Sequence, residues 1–315
     1  MPALLPHLHQ AHAQAYPSRP IKLIAPWPVG GAVDALSRAL SVRLGERLGQ
    51  PVVTENRPGA GSTLGVLAGA KSTPDGYALV LAGNSSLAIS PTMYKKLPYD
   101  PIKDLIPVAL IARIPMVLVV HPSVPVTTVA ELLRYAKEKP GQLNYGSGGP
   151  GSSHHLVTEM FRSMTGIEIA HVPYNGSAPA MNDVMAGHIQ MLFSDPLPAP
   201  PQIKAGTVRA LGVSSPGRWE IMPEIPTIAE AGVPGFDAVN WTLLAAPAGT
   251  PKEIVERLAV ECKAIAKTPE SKEQIAKLGM IPVESPSPDE LVRFVEAEAE
   301  RWGKAVRQAG LAGSL

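Results

Sequence analysis

Short apolar runs alternate with segments of helical period along most of this chain. Residues 21–25 form an apolar run that reads as a strand, and Trp27-Pro28-Val29-Gly30-Gly31 follows as a tight turn. Leu36, Leu40, Leu44 and Leu48 then fall on one stripe at four-residue spacing, which predicts a helix over 32–48. The same reading gives strands at 51–55 and 78–82 with a helix at 62–70 between them, separated by the turn residues of 56–61 and Pro74-Asp75-Gly76. Residues 116–120 are continuously apolar, as a buried strand requires, and a second strand–helix series follows. Its strands are predicted at 143–145, 167–172, 191–194 and 209–213, and its helices at 128–138, 153–164, 179–186 and 200–205. A strand at 240–246 precedes helices at 251–267, 269–278 and 288–309, each opened by a proline in the first turn, where its missing amide costs nothing.

Alternating strand and helix imply an α/β fold with mainly parallel sheets. The length of 315 residues fits two domains. Chain crossings near Val120 and Trp241 would make a hinge with a cleft between the two units. Charge changes the picture by exclusion: 28 Lys and Arg against 27 Asp and Glu leave a net charge of +1, so no overall field would hold nucleic acid. No apolar run is long enough for a membrane helix. The single cysteine, Cys262, falls in a predicted helix without a nucleophile motif and reads as a small core residue. Ala11-His12-Ala13-Gln14-Ala15 before Tyr16-Pro17 resembles the cleavage region of a secretory signal, with a truncated leader ahead of it.

Three turns could carry chemistry. Val29, Gly30 and Gly31 lie between strand and helix, where small residues let a ligand reach the backbone and free helix amides can receive an anion. Asp34, in the first helical turn, would orient those amides or cap the helix. The second turn, Gly146-Ser147-Gly148-Gly149-Pro150-Gly151-Ser152-Ser153-His154-His155, has the same placement and reads as another anion cradle. It also matches the dinucleotide pattern G-x-G-x-x-G, with Glu168 near the spacing of a ribose-binding acid, so a nicotinamide-dinucleotide oxidoreductase is the rival reading. The adjacent His154 and His155 lack an i,i+4 partner for a metal, and one of them could line the cleft. In the third turn, Tyr174 could reach the cleft with its hydroxyl or sit at the core edge, and Ser177 could cap the next helix.

These motifs, together with Glu55-Asn56-Arg57-Pro58-Gly59-Ala60-Gly61, Leu97-Pro98-Tyr99-Asp100, His171-Val172-Pro173-Tyr174 and Ala246-Pro247-Ala248-Gly249-Thr250-Pro251, resemble the extracytoplasmic solute receptors of tripartite tricarboxylate transporters, the Bug family. The resemblance implies a periplasmic-binding-protein fold of the type II-like, Venus-flytrap kind. The first lobe would comprise residues 16–120 with 241–290 and the second residues 121–240. Residues 291–315 would pack across both, after a residual signal segment at 1–15. It implies a periplasmic monomer without catalysis, cofactor or metal, which captures a small carboxylate for membrane subunits of the tripartite type. The ligand residues it implies are Trp27, Val29, Gly30, Gly31, Asp34, Ser85 and Ser86 from the first lobe, and Ser147, Gly149, Ser152, His155, Tyr174 and Asp195 from the second. This chain has Trp27 and Val33 where the family often has phenylalanine and threonine.

Overall fold

The computed structural model describes residues 16–315, so the proposed cleavage region at 11–15 lies outside the described residues. The chain begins with β1 (Ile21–Ala25), α1 (Ala32–Leu48), β2 (Val52–Asn56), a 3-10 turn (Ala60–Ser62), α2 (Thr63–Ala70) and β3 (Ala78–Gly83). A π-helical turn (Ser85–Ile89), α3 (Ser90–Met93) and β4 (Leu105–Ile114) complete this part. The second part runs β5 (Val117–Val120), α4 (Val129–Glu138), β6 (Leu143–Ser147), α5 (Ser153–Thr165), β7 (Ile169–Pro173), α6 (Ser177–Ala186), β8 (Met191–Ser194), α7 (Ala199–Lys204) and β9 (Arg209–Val213). The chain returns with β10 (Asn240–Pro247), α8 (Lys252–Lys267), α9 (Pro269–Lys277), β11 (Ile281–Pro282) and α10 (Pro288–Gln308).

Two sheets result, in the orders β11-β4-β10-β3-β1-β2 and β7-β6-β8-β5-β9. Strands joined through helices pair in parallel: β1 with β2 and β3, β6 with β7 and β8. The expectation of mainly parallel sheets fails at the crossing strands. β10 runs antiparallel to β3 and β4, and β5 antiparallel to β8 and β9. A strand arriving from the other lobe enters at the end where the strand-to-helix turns lie, so it must run against the strands that those turns leave. Residues 117–120, grouped with the first lobe on sequence, hydrogen-bond into the second sheet, so the outward crossing falls at Pro115-Met116 rather than near Val120.

Local chemistry sets the helix ends. The Thr128 hydroxyl accepts from the Glu131 amide at the start of α4, and Ser287 and Glu290 form a reciprocal capping box behind Pro288 of α10. α1 stops at Gly49, whose φ of 71° only glycine adopts readily. Burial then joins the lobes. One continuous apolar cluster runs from Leu87 and Ile89 of the first lobe through Trp302 of α10 to Phe161, Phe193 and Phe236 of the second, while two further clusters back the outer faces of the sheets. α10 packs on β4, the π-helical turn and α3, and also touches α5.

Polar contacts also cross the seam. The Ser85 hydroxyl lies 2.9 Å from the Gly61 carbonyl and 2.8 Å from the Gly151 carbonyl, and Ser153 donates to Asn84, which donates to Asn240. At the other side the Trp219 indole donates to the Gly279 carbonyl at 2.9 Å. Gly279 has φ +75°, and a side chain there would meet Pro196 at 2.6 Å and Trp219 at 2.9 Å, so the lobes touch backbone-close at this point.

Candidate functional site

The turn after β1 is held from behind by one carboxylate. Asp34 is 3% exposed and accepts from the Gly30 amide at 3.0 Å, Asn56 Nδ2 at 2.8 Å and Arg38 Nε at 3.2 Å. Burial opposes its ionisation, but these hydrogen bonds and the Arg38 charge outweigh it and hold the carboxyl below its ordinary range. Asp34 therefore organises the turn, the role its place in the first helical turn suggested, and its oxygens face inward. Asn56, 22 residues away, also donates to the Trp27 carbonyl and was not singled out on sequence. Gly30 has φ +90° and Gly31 caps α1, whose first intrahelical bond runs from Ala35 to Gly31. The amides of Ala32, Val33 and Asp34 have no acceptor within the helix. Val29 is 71% exposed, Gly30 and Gly31 are exposed, and Trp27 is half-buried beside Gly83, so the turn presents backbone outward.

The second turn is knotted. The Gly149 amide donates to the Ser147 hydroxyl, Gly151 to His155 Nδ1 and Ser152 to the Gly149 carbonyl. Three amides of the glycine run are thus engaged inside the turn, and Gly151 is pressed against Ser85 of the other lobe. Ser147 is buried 2.6 Å from His171 Nε2, and Ser152 caps α5 through the His155 amide. His155 is buried too, stacked on His171 with ring centroids 4.1 Å apart, and His171 stacks on Tyr145. Ser85 and Ser86, expected at the cleft, are both buried. The Ser86 hydroxyl folds back on Gly83 and its carbonyl accepts from Tyr99. Tyr174 donates to Asp183 at 2.6 Å, so its hydroxyl is occupied. Burial and then that carboxylate push its pKa up to about 12.

Burial, with the positive fields of His171 and Arg162 added, depresses the His155 pKa to about 3. An unfolded histidine titrates near 6.5. Below that pH the unfolded chain takes up a proton that the folded chain refuses, so this contribution is present above pH ~6.5 and lost as pH falls toward about 3. Urea denaturation followed across that window should show stability falling by up to about 1.4 kcal/mol per pH unit from this one site. His155→Phe should flatten the slope; an unchanged slope would mean that His155 is not the group.

His154 turns the other way. Its Nε2 lies 3.1 Å from Asp195 Oδ1, an ion-pair distance without hydrogen-bond alignment, and the Ser177 hydroxyl donates to Asp195 Oδ2 at 2.5 Å. Burial works against both charges, yet each raises or lowers the other in the expected sense: Asp195 lifts the His154 pKa, and His154 and Ser177 lower that of Asp195. Of the two adjacent histidines, the structure thus sets His154 beside Asp195 and stows His155 in the knot. The only signal in the sequence was their joint placement at a helix start. Among the described residues no cluster of three or more His, Cys, Asp or Glu is placed for a metal, and no helix is long and apolar enough to cross a membrane.

Residues 36–311 match the family described as TctC, tripartite tricarboxylate transporter family receptor. This chain belongs to that family. Among its relatives, the UPF0065 protein in the tcbD-tcbE intergenic region of a Pseudomonas species is 40% identical over 293 residues, covering 93% of this chain and 87% of its own length. BugT of Bordetella pertussis is 37% identical over 305 residues, covering 95% and 91%. Among solved structures, R. palustris Rpa4515 with adipate superposes with a TM-score of 0.89 at 39% identity, over 94% of this chain and 99% of that one. MatC from Rhodopseudomonas palustris with bound malate gives 0.84 at 29%, over 92% and 100%. The periplasmic binding protein BugD gives 0.86 at 30%, over 94% and 99%. The chain is a TctC-family solute-binding receptor with the two-lobed α/β periplasmic-binding-protein fold expected from its sequence.

Proposed function

We propose that this receptor captures a small organic acid between its lobes in the periplasm and presents the closed form to membrane subunits of a tripartite transporter, with no chemistry done on the acid. The observation that carries the reading is the Asp34-braced turn, which exposes Gly30 and Gly31 at the end of β1, beside the α1 amides that have no acceptor within the helix. Amide donors at a helix start suit a carboxylate that must later be released, because they bind it without a buried countercharge. The acids in the two ligand-bound relatives support the same class. We place the lobes at residues 16–115 with 240–315 and at 116–239, following sheet membership, with the hinge at the two crossings.

A thermal-shift screen of ligand-stripped protein against aliphatic, hydroxy, amino and aromatic acids tests the reading, since a ligand bound only to the folded state raises the melting temperature. Gly31→Leu is the control. Gly31 has an ordinary φ of −79° and its side-chain position has no neighbour nearer than 3.8 Å, so leucine should leave the fold intact while filling the approach to the amides. Wild type should respond to at least one acid and Gly31→Leu to none. An equal response from both would rule the turn out.

A further inference from the structure

The pair His154–Asp195 stands in the seam between the two interlobe contacts. Ser153, next to His154, donates to Asn84 of the first lobe. Pro196, next to Asp195, abuts Gly279 of the first lobe, and Leu197 packs on the same first-lobe cluster as Trp27. Both residues are thus flanked in sequence by contacts to the first lobe, and the loops that lead to them, β6 to α5 and β8 to α7, lie side by side because β6 and β8 are paired. The two are not equally reachable. Both His154 ring nitrogens are shut away from solvent, with Nδ1 against Gly148, whereas Asp195 keeps 27% of its side chain exposed.

A carboxylate offers about four lone-pair directions. Ser177 takes one and the His154 imidazole stands at ion-pair distance without an aligned bond, so the exposed edge of Asp195 remains an acceptor. An anion brought to that edge meets a negative charge whose counterion is already engaged. A hydroxyl or ammonium brought there gains a charge-assisted hydrogen bond. Resting on the reading of the first turn as the carboxylate site, we propose that Asp195, balanced by His154, reads the far end of the ligand. It selects acids whose far end carries an amine or hydroxyl over those that end in a second carboxylate.

Matched pairs of equal length test this by calorimetry at neutral pH: γ-aminobutyrate against succinate, ε-aminocaproate against adipate, and para-(hydroxymethyl)benzoate against terephthalate. In the pair that binds best, the amine or hydroxyl member should bind about tenfold or more tightly than the diacid, as like charges across an interface are strongly disfavoured. The two variants should move that ratio in opposite directions. Asp195→Asn removes the charge and should shrink it toward unity, and His154→Gln leaves Asp195 without its counterion and should widen it. A merely structural role would lower both affinities together and leave the ratio fixed. Tighter binding of the diacid by wild type, or a ratio unmoved in both variants, overturns the proposal while the carboxylate reading stands. No response to any acid removes the carboxylate reading itself and this one with it.

Discussion

Asp34→Ala should weaken binding of the best acid by about tenfold to a hundredfold, measured by calorimetry, although Asp34 itself need not touch the ligand. A hydrogen bond to a charged group is worth about 1.5–3 kcal/mol, and about 1.4 kcal/mol is a factor of ten in affinity. Alanine would release three donors at once: the Gly30 amide, Asn56 and Arg38. The turn would then sample many conformations, and ordering it would fall to the ligand. Asp34→Asn is the sharper probe. It keeps the size and one acceptor but turns an amide toward donors, so it should fall between wild type and alanine. Affinity retained in the alanine variant would show that the turn holds its shape without the carboxylate.

Trp302→Ala should destabilise the protein by about 3–5 kcal/mol, the range for removing a buried aromatic side chain. Trp302 has no exposed surface and lies in the apolar cluster that both lobes share. Its indole and that of Trp241 both donate to Glu298 Oε2, at 3.1 and 2.7 Å, and Arg301 donates to Oε1 at 3.0 Å. Removing Trp302 leaves a cavity and loosens a buried carboxylate network. Trp302→Phe, which keeps most of the volume and loses the donor, should cost less. Urea denaturation of the three proteins gives the comparison, and a shift in the alanine variant below about 1 kcal/mol would mean that the site collapses freely.

Sequence reading went furthest where the physics is local. β1, α1, β8 and β9 begin and end where the apolar pattern places them, and the link from Asp34 back to Gly30 spans four residues. It failed where partners are remote. β4 was not read at all, although it is the longest strand: Pro107 argues against a central strand, and the ladder from β10 that accommodates it comes more than 130 residues later. The π-helical turn carrying Ser85 and Ser86 is held under α10, so no nearby spacing shows that these serines turn inward. The exchange of roles between His154 and His155 depends on β6, β7 and β8 lying side by side, which sets Asp195 against one ring and His171 against the other. Neighbours in sequence thus acquire opposite environments from strands that the local pattern does not order.

The place of β10 between β3 and β4 has a consequence for the newborn chain. Every strand of the second sheet is complete by residue 213, whereas the first sheet lacks a central strand until residues 240–247 have been made. A chain stopped before that point has β3 and β4 with bare edges facing each other across a missing strand. The lobe that the amino terminus begins is therefore the last to close, after the second lobe already has every strand of its sheet.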